Sequence, residues 1–117
     1  AYSLRHNLET AEESGVSAGV LSTVGGAGNS PLWCQIKADV TGKPISLPNS
    51  ATATALGAAL LAGVGVGMYQ SFDQAVKETV KIKKTYLPNP ERKALYDRGY
   101  RTYLELYRSL KPLMQEG

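Results

Sequence analysis

The sequence predicts a helix-rich α/β fold with few strands, and three observations carry that prediction. Apolar residues recur at helical spacing in several separate stretches. One β-branched, apolar run, residues 16–24, leads into a glycine turn. Proline, glycine and small polar residues stand at the joints between these segments, where helices start and stop. The 117 residues suffice for one domain or a piece of one and are too few for two independent cores. With 43% hydrophobic and 20% charged residues the composition is globular, which argues against general disorder.

Taken in order, Tyr2 to Ser14 is a helix with Leu4, Leu8 and Ala11 on its inner face, Arg5, Glu9, Glu12 and Glu13 elsewhere, and Gly15 at its C-terminal end. Val16 to Val24 reads as a buried strand that ends at Gly25–Gly26. Pro31 opens a second helix, with Asn29 or Ser30 as its N-cap, Leu32, Ile36 and Val40 facing inward, and Gly42 as its stop. Pro44–Leu47 is a short extended piece before a turn at Pro48–Asn49. An Ala/Gly-rich helix follows, from Ala51 or Thr52 to about Val66. Asp73 caps the next helix, which buries Ala75, Val76, Val80 and Ile82 and lines up Lys77, Lys81 and Lys84 on its outer face. Leu87-Pro88-Asn89-Pro90 is a rigid break. The last helix, Glu91 to about Leu110, carries Tyr96, Tyr100, Tyr103, Tyr107, Leu110 and Met114 on one stripe, and Pro112 ends or kinks it.

Charge narrows the functional classes. Residues 1–70 hold three basic against four acidic side chains, and residues 71–117 hold ten against six. The net charge of +3 is too small to imply a polyanion partner, and the acids scattered through the basic half make it a solvated helical surface. Cys34 is the single cysteine, so no intrachain disulfide or Cys-rich zinc site is available and a reducing, cytoplasmic setting fits. Residues 44–72 carry no charge, but the apolar part, Ala51–Tyr69, is mostly Ala and Gly, which contribute little transfer energy. It reads as a tightly packed internal helix rather than a membrane span.

Few residues suggest chemistry. The turn Gly25-Gly26-Ala27-Gly28-Asn29-Ser30-Pro31 joins strand to helix with almost no side-chain bulk, a shape that suits either a tight turn or backbone approach to a flat or anionic ligand. It matches neither the dinucleotide GxGxxG nor the GxxxxGK[ST] phosphate loop. The small residues Gly57, Ala58, Ala62, Gly63, Gly65 and Gly67 suit close packing, against protein or ligand. The tyrosine stripe and the lysine run are first a packed face and a solvated one, and only second a platform for nucleic acid. His6 reads as a lone surface histidine, Cys34 as a small buried hydrophobe, and Asp39 and Asp73 as a helix-surface residue and a cap rather than a general base. No catalytic set and no metal-ligand spacing is visible.

Three blocks together resemble the C-terminal end of the FGGY carbohydrate kinases, with the xylulokinase-like branch most similar: residues 24–42 (VGGAGNSPLWCQIKADVTG), residues 55–63 (ALGAALLAG), and Tyr86-Leu-Pro-Asn-Pro with its tyrosine-rich helix. The resemblance implies that residues 1–117 are a C-terminal fragment of the second, nucleotide-binding domain, part of a ribonuclease H-like lobe of the actin/hexokinase type. It implies ATP and Mg²⁺ as cofactors of a sugar kinase acting on xylulose or a related ketose or polyol. The Gly25–Gly26–Ala27 turn would lie against the adenine, with Ser30, or Asn29 in its place, as the polar contact. The Ala55–Gly63 helix would help to shape the pocket. In the family the catalytic aspartate and phosphate loops lie upstream, so the resemblance implies no catalytic residue here and an inactive isolated fragment. Implied partners are the sugar, ATP and the missing N-terminal lobe, with a homodimer left open and neither nucleic acid nor membrane. The competing reading is a small basic helical module that binds RNA or an acidic protein.

Overall fold

The computed structural model describes residues 1–49 and 53–115. In order these form α1 (Tyr2–Glu13), β1 (Leu21–Ser22), α2 (Pro31–Thr41), β2 (Ile45–Pro48), α3 (Ala53–Gly65), α4 (Phe72–Thr79), β3 (Ile82–Tyr86) and α5 (Lys93–Gln115). Single 3₁₀ turns at Gly26–Asn29 and Pro90–Arg92 precede α2 and α5. The expected start of α3 at Ala51 or Thr52 lies outside the described residues.

The sheet has the order β1-β2-β3, with β1 parallel and β3 antiparallel to the central β2. Leu21 pairs with Ile45, and Ile45 with Tyr86 across the other edge. α2 covers this sheet, and the core is the small set Cys34, Ala38, Ile45 and Tyr86, with Leu21 packed beside it. Ser30 caps α2 through its hydroxyl, Pro31 occupies the first turn, and Gly42 ends the helix at φ +67°, as the sequence suggested. Gly15 follows α1, and the Gly15 and Val16 N–H groups donate back to the Glu12 and Ala11 carbonyls, closing the helix end.

Several expectations need correction. β1 is two residues long, and Val16, Val20 and Val24 are half exposed, because β1 is an edge strand with one partner and of its two residues only Leu21 reaches the core. α2 turns Cys34, Lys37, Ala38, Asp39 and Val40 inward, while Leu32 is exposed. α3 is not internal among the described residues: it packs against α4 and buries only Leu60 and Gly63. Asp73 does not cap α4; the Ser71 hydroxyl accepts the Gln74 N–H instead, one residue before the helix starts. α4 stops at Thr79, and residues 82–86 form β3, so Lys77, Lys81 and Lys84 share no helix face. β-Branched and aromatic residues (Ile82, Thr85, Tyr86) favour the strand, and pairing with β2 overrides the helical reading. α5 runs through Pro112 to Gln115; Arg108, whose carbonyl has no N–H partner at Pro112, lies in an exposed turn of the helix.

β3 is not regular. Leu47 pairs with Lys84 but Pro48 pairs with Ile82, so Lys83 is the extra residue of a β-bulge. No described helix is long and apolar enough to cross a membrane.

Candidate functional site

The three glycines of the turn stand under different constraints. Gly25 sits at φ +70°, where a side chain is strained. Gly28 is buried, and a Cβ there would stand 2.7 Å from Leu47 Cδ1 of β2, so the helical turn rests directly on the sheet. Gly26 has neither constraint, for a Cβ built on it meets nothing within 4 Å. The fold therefore favours glycine at position 25, through its backbone, and at 28, through crowding by Leu47, but not at 26.

Side chains beneath the turn hold it still. Cys34 is fully buried, as expected, with its sulfur 3.7 Å from the Ala27 carbonyl oxygen and 3.8 Å from that of Gly28. Lys37, also buried, donates from Nζ to Thr23 Oγ1 at 2.5 Å, and the Thr23 N–H donates to the Ser46 carbonyl. These contacts fix the end of β1 to α2 and β2 just before the chain turns.

In front of the turn lies a cleft of about 230 Å³, lined by Gly25, Gly26, Asn29, Leu47, Pro48, Asn49 and Lys83. A second cleft of about 330 Å³ shares Asn29, Leu47 and Lys83 and extends to Gly28, Pro31, Lys84 and Tyr86. Of the five residues singled out from the sequence, Gly25, Gly26 and Asn29 come together in the first cleft. Ala27 and Ser30 are exposed at the same turn but outside its lining. Ser30 Oγ accepts the Trp33 N–H at 3.2 Å, which leaves its hydroxyl hydrogen free to donate outward. Sequence reasoning missed Lys83 and Asn49. Lys83 was assigned to a helix, although the signal existed in the β-branched and aromatic residues around it.

α2, which carries the turn, is locked in place by α1 and α5. Arg5 donates to Glu9 at 2.8 Å, to Asp97 at 2.7 Å and to the Val40 carbonyl at 3.3 Å, with its guanidinium 4.2 Å over the Tyr100 ring. Tyr100 Oη donates to Glu9 at 2.6 Å. Burial works against a charged Glu9, yet hydrogen bonds from Tyr100 and Arg5 prevail and hold its carboxyl below the usual range. Lys93 and Arg5 lower Asp97 likewise, whereas burial and the Glu9 contact push the Tyr100 phenol up. The face of α1 that meets its neighbours is thus largely polar and aromatic; of the expected apolar face, Leu8 and Ala11 are half-buried while Leu4 is exposed. His6 is no lone surface residue: it packs edge-on against Tyr103 and Tyr107, at 5.9 and 5.0 Å between ring centres. The tyrosine stripe is a packed face at Tyr100 and Tyr103, and α5 approaches α1 so closely that a Cβ on Gly99 would overlap Tyr2.

Asp39 is buried rather than on the surface. Its carboxylate accepts from Gln35 Nε2 and the Asn89 N–H at 2.8 Å each, and from Arg92 at 3.2 Å, tying the 87–90 break to α2. With every oxygen engaged it is a structural acceptor, not a base. Among the described residues no three His, Cys, Asp or Glu side chains gather as metal ligands.

Comparison with known proteins places this arrangement. Residues 1–66 match the C-terminal domain of the FGGY family of carbohydrate kinases. An autoinducer-2 kinase of Yersinia pestis is 43% identical over 99 residues, covering 85% of this chain and 19% of the relative. A xyloylose kinase from Brucella ovis superposes with a TM-score of 0.83 at 27% identity, over 96% of this chain and 23% of that one. A xylulose kinase from Rhodospirillum rubrum gives 0.77 at 29%, over 97% and 23%. The chain spans about a fifth of the length of the curated relatives it matches, 19%. The architecture is that of the C-terminal part of an actin/hexokinase-type lobe, rich in helix with a three-stranded sheet.

Proposed function

The chain belongs to the FGGY family of carbohydrate kinases, and from that premise we propose that it is the nucleotide-binding part of an ATP-dependent sugar kinase. Residues 1–117 are then a C-terminal fragment of the second domain. The observation that carries this reading is the open face at Gly26. Nothing in the fold demands a missing side chain there, yet the position lines the cleft beside Gly25 and Asn29. A purine lying flat on bare main chain supplies the reason. Asn29 and the free hydroxyl hydrogen of Ser30 are the polar groups that would meet its edge.

The phosphoryl acceptor is a hydroxyl of a small ketose or polyol, the class to which the xylulose kinase relatives point. Autoinducer-2 is the second reading, supported by the 43% identity to a kinase named for it. Phosphoryl transfer needs a base for the acceptor hydroxyl, phosphate donors and magnesium. No described carboxylate cluster fits a magnesium ion, so no step is assigned to metal on this chain. The chain's contribution is to bind and orient the nucleotide, and the isolated fragment is expected to transfer no phosphate. We place the parent enzyme in the cytoplasm.

Gly26→Val in the full-length kinase tests the assignment, because a Cβ at this position meets no atom of this chain within 4 Å. The KM for ATP should rise about ten-fold or more, with the sugar KM little changed. An unaltered nucleotide KM overturns the site. Binding of RNA that weakens steeply with salt would instead favour the basic-module reading.

A further inference from the structure

We propose that Lys83 binds a phosphate of the nucleotide, an inference that rests on the nucleotide reading above and extends it from the ring to the phosphates. Among the described residues Lys83 is the only charged one lining the cleft at Gly25, Gly26 and Asn29, and no carboxylate among them lines it or the adjoining cleft. The site therefore presents uncompensated positive charge, which suits an anion. The β-bulge is an independent observation. In a regular strand Lys83 and Lys84 would point to opposite faces, but the slip between Leu47 and Pro48 lets both line the second cleft. Lys84 is engaged, with its ammonium 4.6 Å over the Tyr86 ring. Lys83 enters no ion pair among the described residues. A bulge that re-aims one unpaired cation across the cleft from a glycine turn is a device for holding a charged ligand rather than for stabilising the sheet.

The test uses the full-length kinase carrying Lys83→Met or Lys83→Arg, titrated calorimetrically with ADP and with adenosine. Lys83 is exposed, so both variants should fold, and Lys83→Arg keeps the charge. Lys83→Met should weaken ADP about ten-fold and leave adenosine within about two-fold, while Lys83→Arg retains most of the ADP affinity. Equal losses for both ligands, or no loss for ADP, overturn the proposal. Gly26→Val in the same titrations should weaken ADP and adenosine alike. If Gly26→Val acts and Lys83→Met does not, the phosphate contact fails alone; if neither acts, the nucleotide reading fails with it.

Discussion

α1, α2 and α5 meet through charges, hydrogen bonds and aromatic rings, whereas α3 meets α4 through bare aliphatic surface. In the first group Arg5 bridges Glu9 and Asp97, Tyr100 closes on Glu9, and Asp39 gathers three donors. Each polar group has a specific partner, so geometry there is dictated by direction as well as by burial. In the second group α3 is almost entirely apolar, and Leu61, together with Val66 and Met68 just beyond the helix, stands mostly exposed. Non-directional apolar surface accepts any cover of suitable shape. The polar clamp is complete within these residues; the α3–α4 pair is not.

The largest expected effect breaks the clamp. Asp39→Ala removes the acceptor for the Asn89 N–H, Gln35 and Arg92 at a side chain with no solvent exposure. It should cost about 2–3 kcal/mol in denaturant unfolding, because three part-buried donors lose a charged acceptor. A loss below about 0.5 kcal/mol, the range of an ordinary surface change, would mean that the 87–90 break does not depend on Asp39. The α3–α4 pair predicts an uneven response from adjacent leucines. Leu60→Ala, at the buried contact, should cost about 2 kcal/mol, and Leu61→Ala, 62% exposed, less than about 0.5. Equal costs would show that the exposed face of α3 is covered in solution.

Acidity should separate the two regions with a smaller effect. Glu9 and Asp97 are held below their ordinary values of 4.5 and 3.8. Their stabilisation is therefore present above that range and lost as pH falls through it. Tyr100 is shifted upward from 10.0, so its share is present below that pH and lost above it. Thermal stability should show a plateau from about pH 5 to 10, with each solvent-facing pair worth about 0–1 kcal/mol. Arg5→Met should flatten the acid limb, since both carboxylates lose their shared cation; an unchanged limb would locate the acid sensitivity elsewhere.

How much was legible follows from the range of the forces involved. Caps, stops and turns are local chemistry, so Ser30, Pro31, Gly42, the 87–90 break and the glycine turn could be read directly. The burial of Cys34 was readable because nothing near it in sequence activates a thiol. Period alone misassigned Lys81–Lys84, since a short lysine-rich segment fits helix or strand and only β2 decides between them. It also left Arg5 and Glu9 of α1 outside the packed face, because polar groups that satisfy one another across 92 residues, as Arg5 and Asp97 do, look like a solvated face in sequence.

The sequence by itself determined where the chain turns, what ends α1 and α2, and which stretch could offer bare main chain to a ligand. These depend on φ angles, missing N–H groups and absent side chains, all properties of a residue and its near neighbours. The tertiary structure alone decided that Lys83 faces that stretch, that Asp39 and Lys37 are interior, and that Gly26 is free while Gly28 is confined. Those outcomes depend on which distant strand or helix arrives opposite, and on the one-residue slip it imposes.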